Sequence, residues 1–297
     1  MMEDELGGIS APQSEPPVVV GYNGKEHSRD ALRWAAAEAT RRRLPLLVVF
    51  AANYPGMAAD PLEPGALEAD EEVTARGVRV ALDTSPELQV RGITEVISPT
   101  RAMIEASASS ALVVIGTRGH GRIAGALLGS VAFAVAARAE CPVVVIGGEA
   151  ARRPIGPRWP VVVGTDGSEP AAAALAFAAD WALADSAALE VVTCTGDHPL
   201  ADADPEALRA AAETIARTAA NRLRATHPAL DVTTRVEDSM AQRTLVDASA
   251  DAGLVVVGTR GRGAFTGMIL GSVSHAVIHG ADCPVAVVGE GQHYGPR

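Results

Sequence analysis

The sequence predicts an α/β protein made of two tandem domains, each a doubly wound, five-stranded parallel sheet. Residues 116–130 read GTRGHGRIAGALLGS and residues 258–272 read GTRGRGAFTGMILGS, so nearly the same loop occurs twice. The same offset separates Cys141 from Cys283, and each opens a CPV segment. Within each half, uninterrupted Val, Ile and Leu runs alternate with helical segments, which is typical of parallel strands buried on both faces.

The repeat divides the chain into residues 17–148 and residues 158–291. The Pro-, Gly- and Arg-containing stretch 149–157 between them predicts a linker. Residues 1–16 are predicted to be a disordered tail and residues 292–297 a second tail. A length of 297 residues is sufficient for two domains with separate cores.

The elements are clearest in the second half. WPVVVGTD predicts a strand, EPAAAALAFAADWALA a helix and ALEVVTCT a second strand. Helices at about 205–226, 240–251 and 271–280 alternate with the strands LDVTTRV, GLVVVGT and CPVAVVG. Asp180, Trp181 and Asp185 are interpreted as ordinary amphipathic patterning of the first helix. Right-handed crossovers then predict the strand order 3-2-1-4-5, with the switch point between the first and fourth strands.

Charge and composition exclude several functions. A net charge of -11 argues against sequence-independent binding of nucleic acid. The acidic start does not resemble a secretory signal, and no apolar run approaches the roughly 18 residues of a membrane span, so we expect a cytoplasmic protein. Cys141 and Cys283 are expected to be small buried side chains rather than reactive thiols.

Two turns in each half lie where ligands bind in such sheets. The turns after the first strands read GYNGK (21–25) and GTDGS (164–168), and the repeated glycine loops follow the fourth strands. Ser130 and Ser272 are predicted to cap the next helix, whose N-terminus favours an anion. Local positive charge comes from Arg118, Arg122, Arg260 and Arg262. The sequence therefore predicts a phosphate cradle that does not use a Walker lysine.

The spacing Gly-x2-Gly-x9-Gly-Ser resembles the ATP-binding loop of the universal stress proteins. It occurs at Gly116, Gly119, Gly129 and Ser130, and again at Gly258, Gly261, Gly271 and Ser272. The segments VGTDGS and CPV resemble the same family. The resemblance implies a tandem, Rossmann-like (adenine nucleotide alpha hydrolase-like) protein that binds ATP with magnesium, similar to proteins that actinobacteria use in stress, hypoxia and growth arrest.

The resemblance also implies roles for residues. Asp166 would lie beside the nucleoside, and the backbone of Cys194 would meet the adenine edge. The ribose and the first phosphates would contact Gly258, Gly261 and Gly263. The distal phosphates would contact the residues from Gly271 to Ser274. The second-half set is Gly164, Thr165, Asp166, Cys194, Gly258, Arg260, Gly261, Arg262, Gly263, Gly271, Ser272, Val273 and Ser274. The first-half set is Gly21, Asn23, Ala51, Gly116, Arg118, Gly119, Gly121, Gly129, Ser130 and Val131.

The two predicted sites are not equal. The first half has Asn23 where the second has Asp166, and Lys25 where the second has Ser168. Asparagine keeps an acceptor oxygen but loses the charge that attracts a divalent cation. We expect the first site to depend less on metal; the alternative is neutral drift on a tolerant turn.

Catalytic signatures are not found. There is no GxSxG elbow on a strand-to-helix turn and no paired His and Cys. His275 and His279 have zinc-compatible spacing but no neighbouring glutamate, and Phe133 and Ala137 replace them in the first half, so no metal site is expected.

The sequence favours a nucleotide-responsive regulator with little or no turnover. The resemblance implies that its halves pair through their last strands as an internal pseudo-dimer; a homodimer, a regulatory protein partner, and AMP or a cyclic nucleotide as ligand remain open. The alternatives are a slow ATPase or autophosphorylating enzyme, and a stress chaperone with vestigial loops.

Overall fold

The computed structural model describes residues 15–52, 65–117, 129–147, 155–196, 204–261 and 270–292. The first half contains β1 (Val18–Gly21), α1 (Glu26–Arg42), β2 (Leu46–Ala51), α2 (Ala66–Thr84), β3 (Val90–Glu95), α3 (Pro99–Ser107), β4 (Leu112–Gly116), α4 (Ser130–Arg138) and β5 (Val143–Ile146). The second half contains β6 (Val161–Gly164), α5 (Glu169–Ala184), β7 (Leu189–Cys194), α6 (Pro205–Thr226), β8 (Val232–Glu237), α7 (Ala241–Ala248), a 3₁₀ turn (Ser249–Asp251), β9 (Leu254–Gly258), α8 (Ser272–Gly280) and β10 (Val285–Val288). Within these ranges, no helix combines the length and apolar character needed to cross a membrane.

All ten strands form one sheet, in the order β3-β2-β1-β4-β5-β10-β9-β6-β7-β8. The predicted order 3-2-1-4-5 is confirmed in both halves. Neighbouring strands are parallel except at the centre, where β5 and β10 run antiparallel with Val144 opposite Ala286. The last strands of the two halves therefore join their sheets.

Continuous apolar strands are needed because helices cover both faces of the sheet. Val18 and Val20 face one core cluster, which α1, α2, α5 and α6 cover. Val19 faces the other cluster, under α3, α4, α7 and α8. Successive side chains of a strand point to opposite faces, so a run without polar residues is buried on both.

Helix ends follow local chemistry. The Ser98 side chain accepts a hydrogen bond from the Arg101 amide at the start of α3, and the Asp204 side chain accepts one from the Glu206 amide at the start of α6. Pro205 is the first residue of α6, where a missing amide hydrogen costs nothing. These caps satisfy amides that have no acceptor inside the helix.

The interpretation of Trp181 and Asp185 as ordinary amphipathic patterning is wrong. Trp181 is completely buried, and its ring stacks on that of Trp34 in α1, with 5.8 Å between ring centroids. Asp185 accepts a hydrogen bond from Arg41 at 2.7 Å. Both contacts join the two halves, and a helical periodicity cannot report a partner that lies far away in the chain.

Candidate functional site

The carboxyl ends of β6 and β9 meet at one edge of the sheet. The two strands are parallel neighbours, with Val163 opposite Val256. In the first half β1 and β4 are neighbours in the same way, with Val20 opposite Val114. The turn after the first strand and the glycine loop after the fourth strand therefore start side by side in each half, at the switch point where α/β sheets bind ligands.

Asp166 is held firmly in the turn after β6. One of its carboxylate oxygens, Oδ1, accepts hydrogen bonds from the amide of Ser168 at 3.0 Å and from its hydroxyl at 2.6 Å. Gly167 between them has φ 76°, a left-handed conformation that glycine adopts without strain. The other oxygen, Oδ2, would be 2.5 Å from a β-carbon on Gly261. The turn after β6 thus touches the loop after β9, and two predicted site residues come together.

The loop after β9 closes on itself at its described ends. The Gly271 amide donates to the Thr259 carbonyl at 2.8 Å, and the Ser274 hydroxyl donates to the Gly258 carbonyl at 2.9 Å. These bonds place the N-terminus of α8 directly beside the end of β9. The first amides of a helix have no intrahelical acceptor and carry partial positive charge, so this position favours an anion.

The prediction that Ser130 and Ser272 cap their helices is wrong. Each is the first helical residue, and the capping positions are Gly129 and Gly271, with no side-chain cap. A cap residue has an extended backbone outside the helix, as Gly271 has with φ -71° and ψ 156°. The Ser272 side chain is consequently left exposed at the start of α8.

Packing also requires glycine at the ends of β4, β6 and β9. A β-carbon on Gly116 would overlap the carbonyl oxygen of His27 in α1, and one on Gly258 would be 3.1 Å from the carbonyl oxygen of Pro170 in α5. On the opposite face, a β-carbon on Gly164 would be 2.7 Å from Leu245 Cδ1. The fold alone therefore requires close approach at these positions, whatever the ligand.

The turn after β1 keeps its geometry without a carboxylate. Asn23 Oδ1 accepts hydrogen bonds from the Ser28 hydroxyl at 2.8 Å and from the Lys25 amide at 3.1 Å. Ser28 thus supplies the hydroxyl that Ser168 supplies in the second half. A β-carbon on Gly24 would be 3.9 Å from an Arg76 guanidinium nitrogen. The first turn is therefore flanked by Lys25 and Arg76, whereas the second carries the Asp166 carboxylate.

Ala51 and Cys194 occupy the predicted positions at the ends of β2 and β7. The next amides, of Ala52 and Thr195, bond to carbonyls of the neighbouring edge strand at 2.9 and 3.0 Å. The Thr193 hydroxyl is buried, and the described part of the chain offers it no hydrogen-bond partner.

Other predicted residues are distributed as follows. Gly21 ends β1, and Thr165 directly follows β6. Val131 and Val273 are the second residues of α4 and α8, and Arg260 is exposed at the start of the second loop. Six predicted residues lie outside the described part of the chain: Arg118, Gly119, Gly121, Arg122, Arg262 and Gly263.

Sequence reasoning missed Gln242, the second residue of α7. Its Nε2 atom donates to the exposed Ser272 hydroxyl at 3.5 Å, which brings a carboxamide to the N-terminus of α8. No motif marks this position, and its first-half counterpart is Thr100.

Cys141 and Cys283 are buried, as predicted. Burial raises the pKa of the Cys141 thiol to about 12, so the thiol stays protonated at neutral pH. Within the described ranges, no group of three or more His, Cys, Asp or Glu side chains is placed to hold a metal ion. The rings of His275 and His279 are 5.6 Å apart, and His275 also meets Phe133 edge-on.

The fold and this edge define a class of tandem α/β protein with one glycine-loop site in each half. The model of the universal stress protein family matches residues 16–147 and 159–289. The chain therefore belongs to the universal stress protein family.

Relatives extend over the whole tandem. Universal stress protein Rv2005c of Mycobacterium tuberculosis is 36% identical over 292 residues, which cover 94% of this chain and 99% of the relative. A universal stress protein of Mycolicibacterium smegmatis is 35% identical over 290 residues, covering 93% and 97%. The crystal structure of a universal stress protein from Archaeoglobus fulgidus superimposes with a TM-score of 0.72 and 21% identity, covering 93% of this chain and 98% of that one, so it shares the fold.

Proposed function

We propose that this chain binds ATP, with magnesium, at the carboxyl edge of each half and acts as a nucleotide-responsive regulator with little or no turnover. The observation that carries the proposal is the meeting of Asp166, Gly261 and the N-terminus of α8 at one edge. That edge combines a fixed acceptor, a glycine backbone that approaches it closely and a helix end that favours phosphate.

The residues of the second site divide by chemistry. Asp166 and the Cys194 backbone would hold the nucleoside. The phosphates would be bound by the Arg260 cation and by the backbone amides of Ser272, Val273 and Ser274. The missing β-carbon at Gly261 lets the loop backbone approach the Asp166 carboxylate closely. In the first half, Asn23, Ala51, Ser130 and Val131 would have the same roles.

The surroundings of Ser272 argue against autophosphorylation of this residue. Its hydroxyl is exposed at the N-terminus of α8, where the phosphates would lie, and its hydrogen-bond partner in the described chain is the Gln242 amide. An amide cannot accept a proton, whereas an activated serine needs an adjacent general base. ATP would then serve as a ligand in the cytoplasm and change what the surface presents to a protein partner, through contacts that differ between the bound and free states.

The first test is to denature freshly purified protein and to quantify the released nucleotide per chain by chromatography. Two ATP per chain would support both sites, and one would support unequal sites. Mostly ADP would favour a slow ATPase. No nucleotide, even after incubation with ATP and magnesium, would reject the proposal in favour of a chaperone-like role.

A further inference from the structure

The joint between the two halves includes a cluster of aromatic rings on one face of the sheet. Trp34 of α1 and Trp181 of α5 stack with ring planes only 9° apart. Phe177 packs on Trp181, with 5.0 Å between centroids. Neither tryptophan has more than 8% of its surface exposed, so the two halves share a continuous core here.

Four charged groups lie beside these rings. Glu38 is completely buried, and its carboxylate accepts hydrogen bonds from Arg41 and Arg42 of the same helix. Both arginines also reach Asp185 in the other half, at 2.7 and 3.2 Å. The Arg42 guanidinium lies 3.9 Å from the centre of the Trp181 ring. Two cations thus meet two anions, and three of the four side chains are buried or nearly so, whereas Arg41 is partly exposed. The charges balance, as buried charges need to.

These residues are related by the internal repeat. Helices α1 and α5 are equivalent elements of the two copies, and they begin at Glu26 and Glu169. Counted from these starting residues, Arg42 corresponds to Asp185, and Glu38 corresponds to Trp181. Arg42 and Asp185 are therefore equivalent positions that meet across the joint, and they carry opposite charges.

Two further pairs of equivalent residues meet at the joint, and both are unlike. Val144 lies opposite Ala286 in the β5–β10 register. Phe133 and His275 contact edge-on on the other face, with 5.5 Å between centroids. The members of each pair occupy equivalent positions in the two copies of the repeat. In a true symmetric dimer these pairs would be identical residues, because equivalent positions on a two-fold axis meet their own copies.

We propose that this joint is a heterospecific interface that accepts the unlike half and rejects a like one. Two first halves would bring four arginines to two glutamates, and two second halves would bring together two Asp185 carboxylates with no arginine. The first combination sets the nearly buried Arg42 guanidinium against its own copy, and the second leaves the nearly buried Asp185 carboxylates without a cation. Repulsion of this kind is how interfaces discriminate against wrong partners. The occupant of each half's joint is therefore the other half of a chain, and joining of copies through like halves is excluded.

The test starts from the full chain, with a specific protease site inserted between residues 149 and 153. The folded protein is cleaved and then diluted, and native mass spectrometry weighs the products. We expect one-to-one pairs of unlike halves, and no pairs of like halves. Asp185→Arg should raise the dissociation constant of the unlike pair at least tenfold, since it places a third cation against Arg41 and Arg42.

Asp180→Arg is the matched control, because it makes the same change of charge on the same helix at a half-exposed residue that bonds to His227 within its own half. It should leave the dissociation constant within twofold of the wild-type value. Asp185→Asn gives a milder variant that retains the shape of the side chain if Asp185→Arg does not fold. Like pairs from the cleaved wild type, or equal effects at residues 180 and 185, would overturn the proposal.

Discussion

The carboxylate of Asp166 stands against the bare α-carbon of Gly261, so that a β-carbon there would be 2.5 Å from Oδ2. Hydrogen bonds from Ser168 hold the other oxygen in place. The second glycine of the repeated motif is thus explained by a contact with the turn after β6 as well as by any ligand.

Gly261→Ala should therefore weaken ATP binding at the second site at least tenfold. The new methyl group displaces either the carboxylate or the loop, and overpacking of this kind costs about 1–3 kcal/mol. Isothermal titration calorimetry measures the effect. In an Asp166→Ala background the same substitution should cost much less; an undiminished loss there would show that the contact is not the cause.

Magnesium should matter more at the second site than at the first. Asp166→Asn should reduce the gain in ATP affinity that magnesium provides, and Asn23→Asp should increase it at the first site, each by about tenfold, because carboxylates are preferred ligands of this cation. The titration is run with and without magnesium on each variant and on the wild-type chain. An unchanged magnesium effect in both variants would favour neutral drift of the first turn.

The two strand-ending glycines should differ in their effect on stability. Gly116→Ala should lower the free energy of unfolding by about 3 kcal/mol or more, because its methyl group meets the backbone of His27, which cannot move without α1. Gly258→Ala should cost about 1 kcal/mol, since the Pro170 backbone is 3.1 Å away and needs to shift only slightly. Urea unfolding of both variants measures the difference. Equal costs would contradict the packing explanation.

Cys141 should resist thiol reagents in the folded protein. Its pKa of about 12 leaves almost no thiolate at pH 8, whereas Cys194 is only partly buried. Titration with an aromatic disulfide should modify Cys141 only after denaturation. Fast labelling of Cys141 in the native protein would contradict its burial.

The same shift predicts a pH dependence of stability. The folded-state pKa lies above the unfolded one, so the contribution of Cys141 is fully present below about pH 9 and is lost as the pH rises towards about 12. Cys141→Ala should show a shallower loss of stability in this window than the wild type. Parallel curves for the two proteins would argue against the shift.

The fold was predictable because its signals are local or repeated. Apolar runs such as Val18–Gly21 predict buried strands, and the bounds of α6 agree with the predicted range 205–226. The strand order followed from the handedness of crossovers. Of the candidate site, the edge and the two turns that carry Asp166 and Gly271 followed from the topology, whereas Cys194 was chosen from the resemblance to the universal stress proteins. The helix cap was assigned to Ser272 instead of Gly271, because the local sequence does not show at which residue the backbone changes from extended to helical.

Local periodicity, glycine spacing and the repeat thus determine the two domains, their sheets and the edge that is proposed to bind the nucleotide, because each depends on residues close in the chain or on a copied pattern. The joint of Glu38, Arg42, Trp181 and Asp185 depends instead on side chains from opposite halves of the chain, which meet only after folding. Periodicity assigns such residues to a helix face but not to a partner. Burial makes this pairing important for stability, because charges removed from water need an oppositely charged partner in the folded protein.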